Sequence, residues 1–364
     1  MALYQLLRQF RGLGYQSTVI SLNGIEPVGK MIGSLGVPVI DLRITSVGSF
    51  FTGMIELVKI GRAIQPNVLQ GWMYHGNIAA SLAAPFMGNQ ANIAWNIRGS
   101  LHDMSVFKSR TRKLIRLGAL MSGTVDTLIY NSHAGAMQHR AFGYSGACEQ
   151  VIGNGFGIGQ FEKSIKKRNA IREQLRIHDF DIVIGCLGRF HMAKGSDLFL
   201  KMALAVGQKM NNVHFIAVGR GMDSSNPQVE ELCNHSKLKG RFHAVGEQRD
   251  VLAYLSSMDL FVNPSRTEGF PNALAEAMLA ELVCIATNVG DSSEILGECG
   301  SLIMANNIES LEQSVLEWLI RDPDQRACIG RASRERIASR YSIEKVANAY
   351  TTIYTKLSAS EDLV

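Results

Sequence analysis

The sequence predicts an α/β protein built from two doubly wound, Rossmann-like domains, and three observations carry that expectation. At 364 residues the chain exceeds one ordinary domain and suits two of about 160 to 180 residues. Short apolar runs alternate with helical stretches, the signature of parallel strands joined by crossover helices. The alternation runs through the first half of the chain and then repeats through the second.

In the first half the predicted strands are Thr18 to Leu22, Val37 to Leu42, Asn67 to Leu69, Ala91 to Trp95 and Thr127 to Asn131. In the second they are Ile182 to Leu187, His214 to Val218, Arg241 to Ala244, Leu260 to Asn263 and Val283 to Thr287. Most are apolar on both faces, as central strands of a covered parallel sheet must be. Lys163-Ser-Ile-Lys-Lys167 reads as the linker. The expected division is 1–160, 161–342 and a closing helix within 343–364. The chain opens on Met1-Ala-Leu-Tyr-Gln-Leu-Leu-Arg-Gln-Phe10, where Leu3, Leu6, Leu7 and Phe10 fall at helical spacing.

Composition narrows the class. Hydrophobic residues make up 46% and charged residues 19%, typical of a folded globular chain. No apolar run reaches the roughly 18 residues needed to cross a bilayer. The first residues lack the basic, apolar and small-residue regions of a signal peptide. Cys148, Cys186, Cys233, Cys284, Cys299 and Cys328 show neither Cys-x-x-Cys nor Cys/His spacing. They read as reduced, mostly core thiols of a cytoplasmic protein, with no metal site. The net charge is +5 and is unevenly spread: residues 1–160 hold 13 Lys and Arg against 6 Asp and Glu. Nucleic acid is a poor partner, because the basic segment lacks interleaved aromatics and a recognition motif.

Residues 258–278 carry the chemistry. A strand leads into a turn containing Glu268, and the turn opens a helix containing Glu276. A helix N-terminus offers free N–H groups and a positive dipole end, hence an anion site. Two carboxylates beside an anion need other partners, such as hydroxyls, and a nucleotide-sugar supplies both. Gly188-Arg-Phe-His-Met-Ala-Lys-Gly195 follows another strand, at the carboxyl end where open α/β sheets bind ligands. There Arg189 offers a planar fork and Lys194 a compact charge to phosphate oxygens. The segment is not a P-loop, since Gly-x-x-x-x-Gly-Lys-Ser/Thr is absent. Asp179-Phe-Asp181 enters its strand at the amino end, the wrong edge for a ligand, and reads as surface.

Together, Glu268-Gly-Phe-Pro-Asn-Ala-Leu-Ala-Glu-Ala277 and Gly188 to Gly195 resemble the donor-site signature of retaining family-4 glycosyltransferases (glycosyltransferase group 1) of the polysaccharide-biosynthesis type. The resemblance implies the GT-B fold, two Rossmann-like domains facing a cleft. By resemblance Glu268 binds the transferred sugar and Glu276 the ribose hydroxyls. Arg189 and Lys194 hold the diphosphate, and the backbone of Gly269, Phe270, Pro271, Asn272, Ala273 and Leu274 approaches sugar and phosphates. His75, in Trp72-Met-Tyr-His-Gly-Asn77, would stand near the sugar and acceptor, where it could bond the sugar or accept a proton. The donor would be UDP- or GDP-linked, with Gly246 to Asp250 near the base. No cofactor and no metal is required.

The chain departs from the family pattern in two places. Val151-Ile-Gly-Asn-Gly-Phe-Gly157 matches the family's interdomain strand-turn except that Gly153 replaces a proline and Gly157 an aspartate. The family's opening strand and glycine-rich loop have no counterpart before the first helix, so a truncated chain without catalysis is an alternative expectation. A sugar-nucleotide epimerase of the same fold is a further one. A helix over Met104 to Met121 would cluster Phe107, Leu114, Leu117, Gly118 and Met121 on one side. Lys108, Arg110, Arg112, Lys113 and Arg116 would face an anionic membrane or a lipid-linked glycan acceptor. The implied activity is retaining sugar transfer to a glycan or lipid-linked acceptor in bacterial capsule or lipopolysaccharide assembly, at the inner face of the membrane.

Overall fold

The computed structural model describes residues 1–88, 91–102, 104 and 107–359. The chain divides into two units, 1–157 with 341–364, and 158–340, close to the boundaries at 160 and 342 expected from the sequence.

Unit 1 runs α1 (Ala2–Gly12), β1 (Val19–Ser21), α2 (Pro27–Ser34), β2 (Val39–Asp41), α3 (Val47–Ile64), β3 (Val68–Trp72), α4 (Met73–Ala83), β4 (Asn92–Ile97), α5 (Ser109–Met121), β5 (Thr127–Tyr130), α6 (His133–Ala141) and β6 (Cys148–Val151). All pairings are parallel: β1 with β2, and separately β3-β4-β5-β6. Side chains alternate across the sheet, as strand geometry requires. Ala94 and Ile129 join Leu6, Leu7 and Phe10 of α1 on one face. Trp95, Ile97, Leu128 and Tyr130 pack with Tyr74 and Ile115 on the other.

Unit 2 runs α7 (Ile165–Gln174), β7 (Ile182–Leu187), α8 (Ser196–Lys209), β8 (Val213–Val218), α9 (Pro227–Asn234), β9 (Phe242–Gly246), α10 (Val251–Ser257), β10 (Leu260–Asn263), α11 (Asn272–Leu279), β11 (Val283–Thr287), α12 (Ser292–Leu296), β12 (Gly300–Ile303), α13 (Ile308–Leu319) and α14 (Pro323–Tyr341). Its parallel sheet has the order β12-β11-β10-β7-β8-β9. The order reverses direction at the β10/β7 boundary, where open α/β sheets form ligand crevices. The last helix, α15 (Ile343–Ala359), belongs to unit 1 and buries Val346, Ala347, Tyr350 and Ile353 against α1.

Several expectations need correction. Lys163–Lys167 is no linker: Ser164 Oγ accepts from Lys167 N, a helix N-cap, and Ile165 begins α7. That helix is tied in by buried Arg172, whose Nη2 lies 2.6 Å from Asp259 Oδ2. Asp181 is buried rather than on the surface. It accepts from His178 N at 3.2 Å and lies 3.4 Å from His214 Nε2. Only Cys186 and Cys284 are core thiols, while Cys148 and Cys328 are exposed; all six are unpaired. The basic helix starts at Ser109, and Ile115 and Gly118 are its buried residues, with Leu117 and Leu120 facing solvent. Ser105 and Val106 lie outside the described residues. Two edge strands, β6 and β12, were missed.

Candidate functional site

Two loops at the carboxyl edge of the unit 2 sheet are stitched together, and the stitching places the sequence-predicted groups. The loop after β7 ends in Lys194 and Gly195, and the loop after β10 spans 264–271. Arg266 N donates to Ala193 O at 2.9 Å. The Arg266 guanidinium grips Asp197 at the start of α8 with a two-pronged contact of 2.6 and 2.7 Å, and donates to Met192 O at 2.9 Å. Such forked pairs fix geometry as well as adding energy. Gly195 has φ +63°, and a Cβ there would overlap Pro264 O, so only glycine allows the two loops to close. Gly290 plays the same part beneath Glu268, with φ +57° and a Cβ position 2.6 Å from Glu268 O and Gly269 O.

The result is that Lys194 Nζ sits 2.6 Å from Glu268 Oε1, and Ser265 Oγ donates to the same oxygen at 2.8 Å. The Glu268 side chain is 8% exposed, and that of Lys194 35%. Ser265 and the Arg266–Asp197 clamp were not legible in the sequence, because nothing local distinguishes them from ordinary loop residues.

The second loop ends at α11. Phe270, Pro271 and Leu274 are buried, whereas Asn272 is exposed and Gly269 and Ala273 are half-buried. Pro271 precedes the first turn, and no side chain caps it. Ala275 N donates to Pro271 O at 3.3 Å, and a helix start of this kind turns N–H groups towards its N-terminal end. Glu276 stands in the second turn of α11. Although the residue keeps some solvent contact, desolvation pushes its carboxyl up to about 7. Among the described residues that carboxyl has no hydrogen-bond or ion-pair partner. An acceptor-rich group held out of water without donors costs stability unless a ligand supplies them.

Arg189 follows β7 with its side chain exposed and, among the described residues, without an ion-pair partner. His75 is part of a helix. The strand extends to Trp72, the helix begins at Met73, and His75 is exposed on its first turn in unit 1. The junction is tight: Met73 adopts φ +63°, and the Asn77 amide, once oriented with its nitrogen towards the carbonyls it faces, donates to Gly71 O at 3.0 Å and Met73 O at 3.2 Å. Strained junctions of this kind persist only where the surroundings hold them. Among the described residues no group of His, Cys, Asp and Glu stands close enough to hold a metal ion, and no helix is long and apolar enough to cross a membrane.

Comparison with known proteins gives the following. Residues 181–321 match the family model "Glycosyl transferases group 1". The chain is 27% identical over 232 residues to the lipopolysaccharide core biosynthesis mannosyltransferase LpsB of Rhizobium meliloti, covering 61% of this chain and 65% of that one. It is 26% identical over 216 residues to the capsular polysaccharide biosynthesis glycosyltransferase CapM of Staphylococcus aureus, covering 58% and 56%. The alignments thus span less than two thirds of these relatives. Among solved structures, Anabaena HepE in complex with UDP superposes with TM-score 0.83 at 17% identity, covering 98% of this chain and 95% of that one. WaaG, a glycosyltransferase involved in lipopolysaccharide biosynthesis, gives 0.72 at 15% identity, covering 97% and 95%. The fold is α/β of the GT-B class.

Proposed function

We propose that the protein is a retaining, metal-independent family-4 glycosyltransferase that moves a sugar from a nucleoside diphosphate to a glycan or lipid-linked acceptor in bacterial surface polysaccharide assembly. The observation that carries this reading is Glu276: a desolvated carboxyl without a partner among the described residues, in the helix that follows the loop of the Lys194–Glu268 pair. Ribose hydroxyls supply the donors that Glu276 lacks. Phosphate oxygens draw on Arg189, Lys194 and the first-turn N–H groups of α11. The family match over 181–321 covers this entire constellation, and the names of LpsB and CapM favour a surface-polysaccharide role.

The chemistry follows from the charges. As the bond from anomeric carbon to phosphate oxygen lengthens, negative charge grows on the departing diphosphate, where Arg189 and Lys194 stabilise it. The acceptor hydroxyl attacks the anomeric carbon on the same face and its proton passes to the leaving phosphate oxygen. Configuration is therefore retained, with no flanking pair of carboxylates of the kind retaining hydrolases use. Glu268, released from Lys194 by the phosphate, takes sugar hydroxyls. His75, exposed on α4, is assigned to the sugar or acceptor. We assign the exposed basic row of α5 to an anionic membrane surface and the enzyme to its cytoplasmic side.

The test is release of nucleoside diphosphate from UDP- and GDP-linked sugars, with and without an extracted lipid-linked glycan acceptor. Acceptor-dependent release that is lost in Glu268→Gln supports the reading. Conversion of the donor sugar without acceptor would point to an epimerase instead.

A further inference from the structure

In the free protein the diphosphate site, as assigned above, is one positive charge short. A nucleoside diphosphate sugar carries two negative charges at neutral pH. Of the two cations given to it, Lys194 is already paired with Glu268 at 2.6 Å, so in the free protein only Arg189 is uncommitted. A second uncommitted guanidinium stands next to it. Strands β7 and β8 are hydrogen-bonded in the register Leu187↔Val218, and Arg189 and Arg220 are each the second residue beyond that pair.

The ladder continues past the strand ends, with Gly188 N donating to Val218 O at 2.9 Å and Phe190 N to Arg220 O at 2.8 Å. The two loops touch backbone to backbone. A Cβ at Gly219, whose φ is +141°, would overlap Gly188 O, and one at Gly221 would lie 3.1 Å from Phe190 Cβ. Arg189 and Arg220 therefore leave the carboxyl edge of the sheet side by side, one strand spacing apart (about 4.8 Å). Both are exposed. Among the described residues neither has a carboxylate within ion-pair distance. Asp223, the acid nearest in sequence to Arg220, is turned to the backbone and hydroxyl of Ser225.

We propose that Arg220 is the second diphosphate cation: Arg189 and Arg220 clamp the phosphates from adjacent strand ends, and Lys194 joins them when Glu268 passes to the sugar. Two exposed arginines on adjacent strand ends, with no carboxylate within ion-pair distance among the described residues, offer two guanidinium forks to one polyanion. The inference rests on the donor-site reading above and adds to it a residue that the Gly-Arg-x-x-x-x-Lys-Gly motif does not contain.

The experiment is equilibrium titration of the whole protein with UDP, UMP, GDP and GMP at low and high salt, for wild type, Arg220→Ala, Arg220→Lys, Arg189→Ala and Glu276→Gln. Arg220→Ala is expected to weaken the preferred diphosphate by about ten-fold or more, to weaken the monophosphate less, and to flatten the salt dependence; Arg220→Lys recovers part of the loss. Unchanged diphosphate affinity in Arg220→Ala would overturn the proposal. So would an equal loss for mono- and diphosphate, which would put Arg220 on the base or ribose. The underlying reading fails separately, when wild type binds none of the four nucleotides or when Arg189→Ala and Glu276→Gln leave a bound nucleotide unaffected.

Discussion

Lys194 and Glu268 come from loops after two neighbouring strands and meet at 2.6 Å, Nζ to Oε1, with Ser265 Oγ on the same carboxylate oxygen. The pair is asymmetric, because the Glu268 side chain is 8% exposed and that of Lys194 35%. Removing the lysine strands a buried charge, while removing the carboxylate leaves a cation that can turn to water. Lys194→Ala should therefore cost about 1–2 kcal/mol of stability, Glu268→Gln less than half of that, and the double variant should recover part of the loss. Urea denaturation of the four proteins checks it, and additive losses would mean that the pair is not coupled.

Glu276 should show a conflict between stability and binding. Its folded pKa of about 7 lies above the unfolded value near 4.5. The folded state thus prefers the proton, and stability falls as pH rises from about 4.5 through 7. Glu276→Gln removes that loss and should raise stability at pH 8 by on the order of 2 kcal/mol, with little change at pH 4. The same variant should bind nucleotide more weakly. Thermal melts at both pH values, with and without UDP or GDP, test both halves.

Acid should unfold unit 1 through His139. It is fully buried, with Nδ1 2.7 Å from Gly135 O and Nε2 2.9 Å from Tyr74 Oη. Desolvation lowers it to about 4. A histidine depressed below its unfolded 6.5 favours unfolding once the unfolded chain takes up the proton. Stability present above pH 6.5 is therefore lost progressively towards pH 4. His243 in unit 2, also at about 4 through desolvation and then the charge of His214, adds a second loss over the same window. Hydrogen exchange across pH 7 to 4.5 should show protection falling around both residues. His139→Gln should flatten the profile in unit 1 alone.

How much of this was legible follows from where each signal lives. Central strands such as β8, buried at every position, announce themselves by continuous apolar runs. The edge strand β6 alternates exposed and half-buried residues in Cys148-Glu-Gln-Val151 and reads as a loop. Glu268 and Glu276 were readable because strand, turn and helix are local. Gly290 and the Arg266–Asp197 clamp were not, because each matters only through a partner distant in sequence, and Ser265 was not, because its bond to Glu268 depends on how the turn between them folds. Asp181 misled for the same reason: a buried aspartate beside His214 looks, in one dimension, like any charged loop residue.

The α5 surface gives a prediction independent of the donor site. Lys108, Arg110, Arg112, Lys113 and Arg116 are exposed, with Leu117 at 41% and Leu120 at 83% beside them. Basic residues near an anionic bilayer contribute about 1 kcal/mol each. A variant with all five neutralised should lose co-sedimentation with vesicles rich in anionic lipid while keeping its melting temperature. Equal co-sedimentation of the two proteins would remove the membrane assignment.

The central claim is that the stitched loops of unit 2 form a nucleotide-sugar site. It is tested most directly by a thermal-shift panel of UDP, GDP, ADP and their sugars on wild type and Glu276→Ala. The account predicts stabilisation by one base family in wild type, growing with ligand concentration, and a much smaller shift in the variant. No shift with any nucleotide, or an identical shift in both proteins, would contradict it.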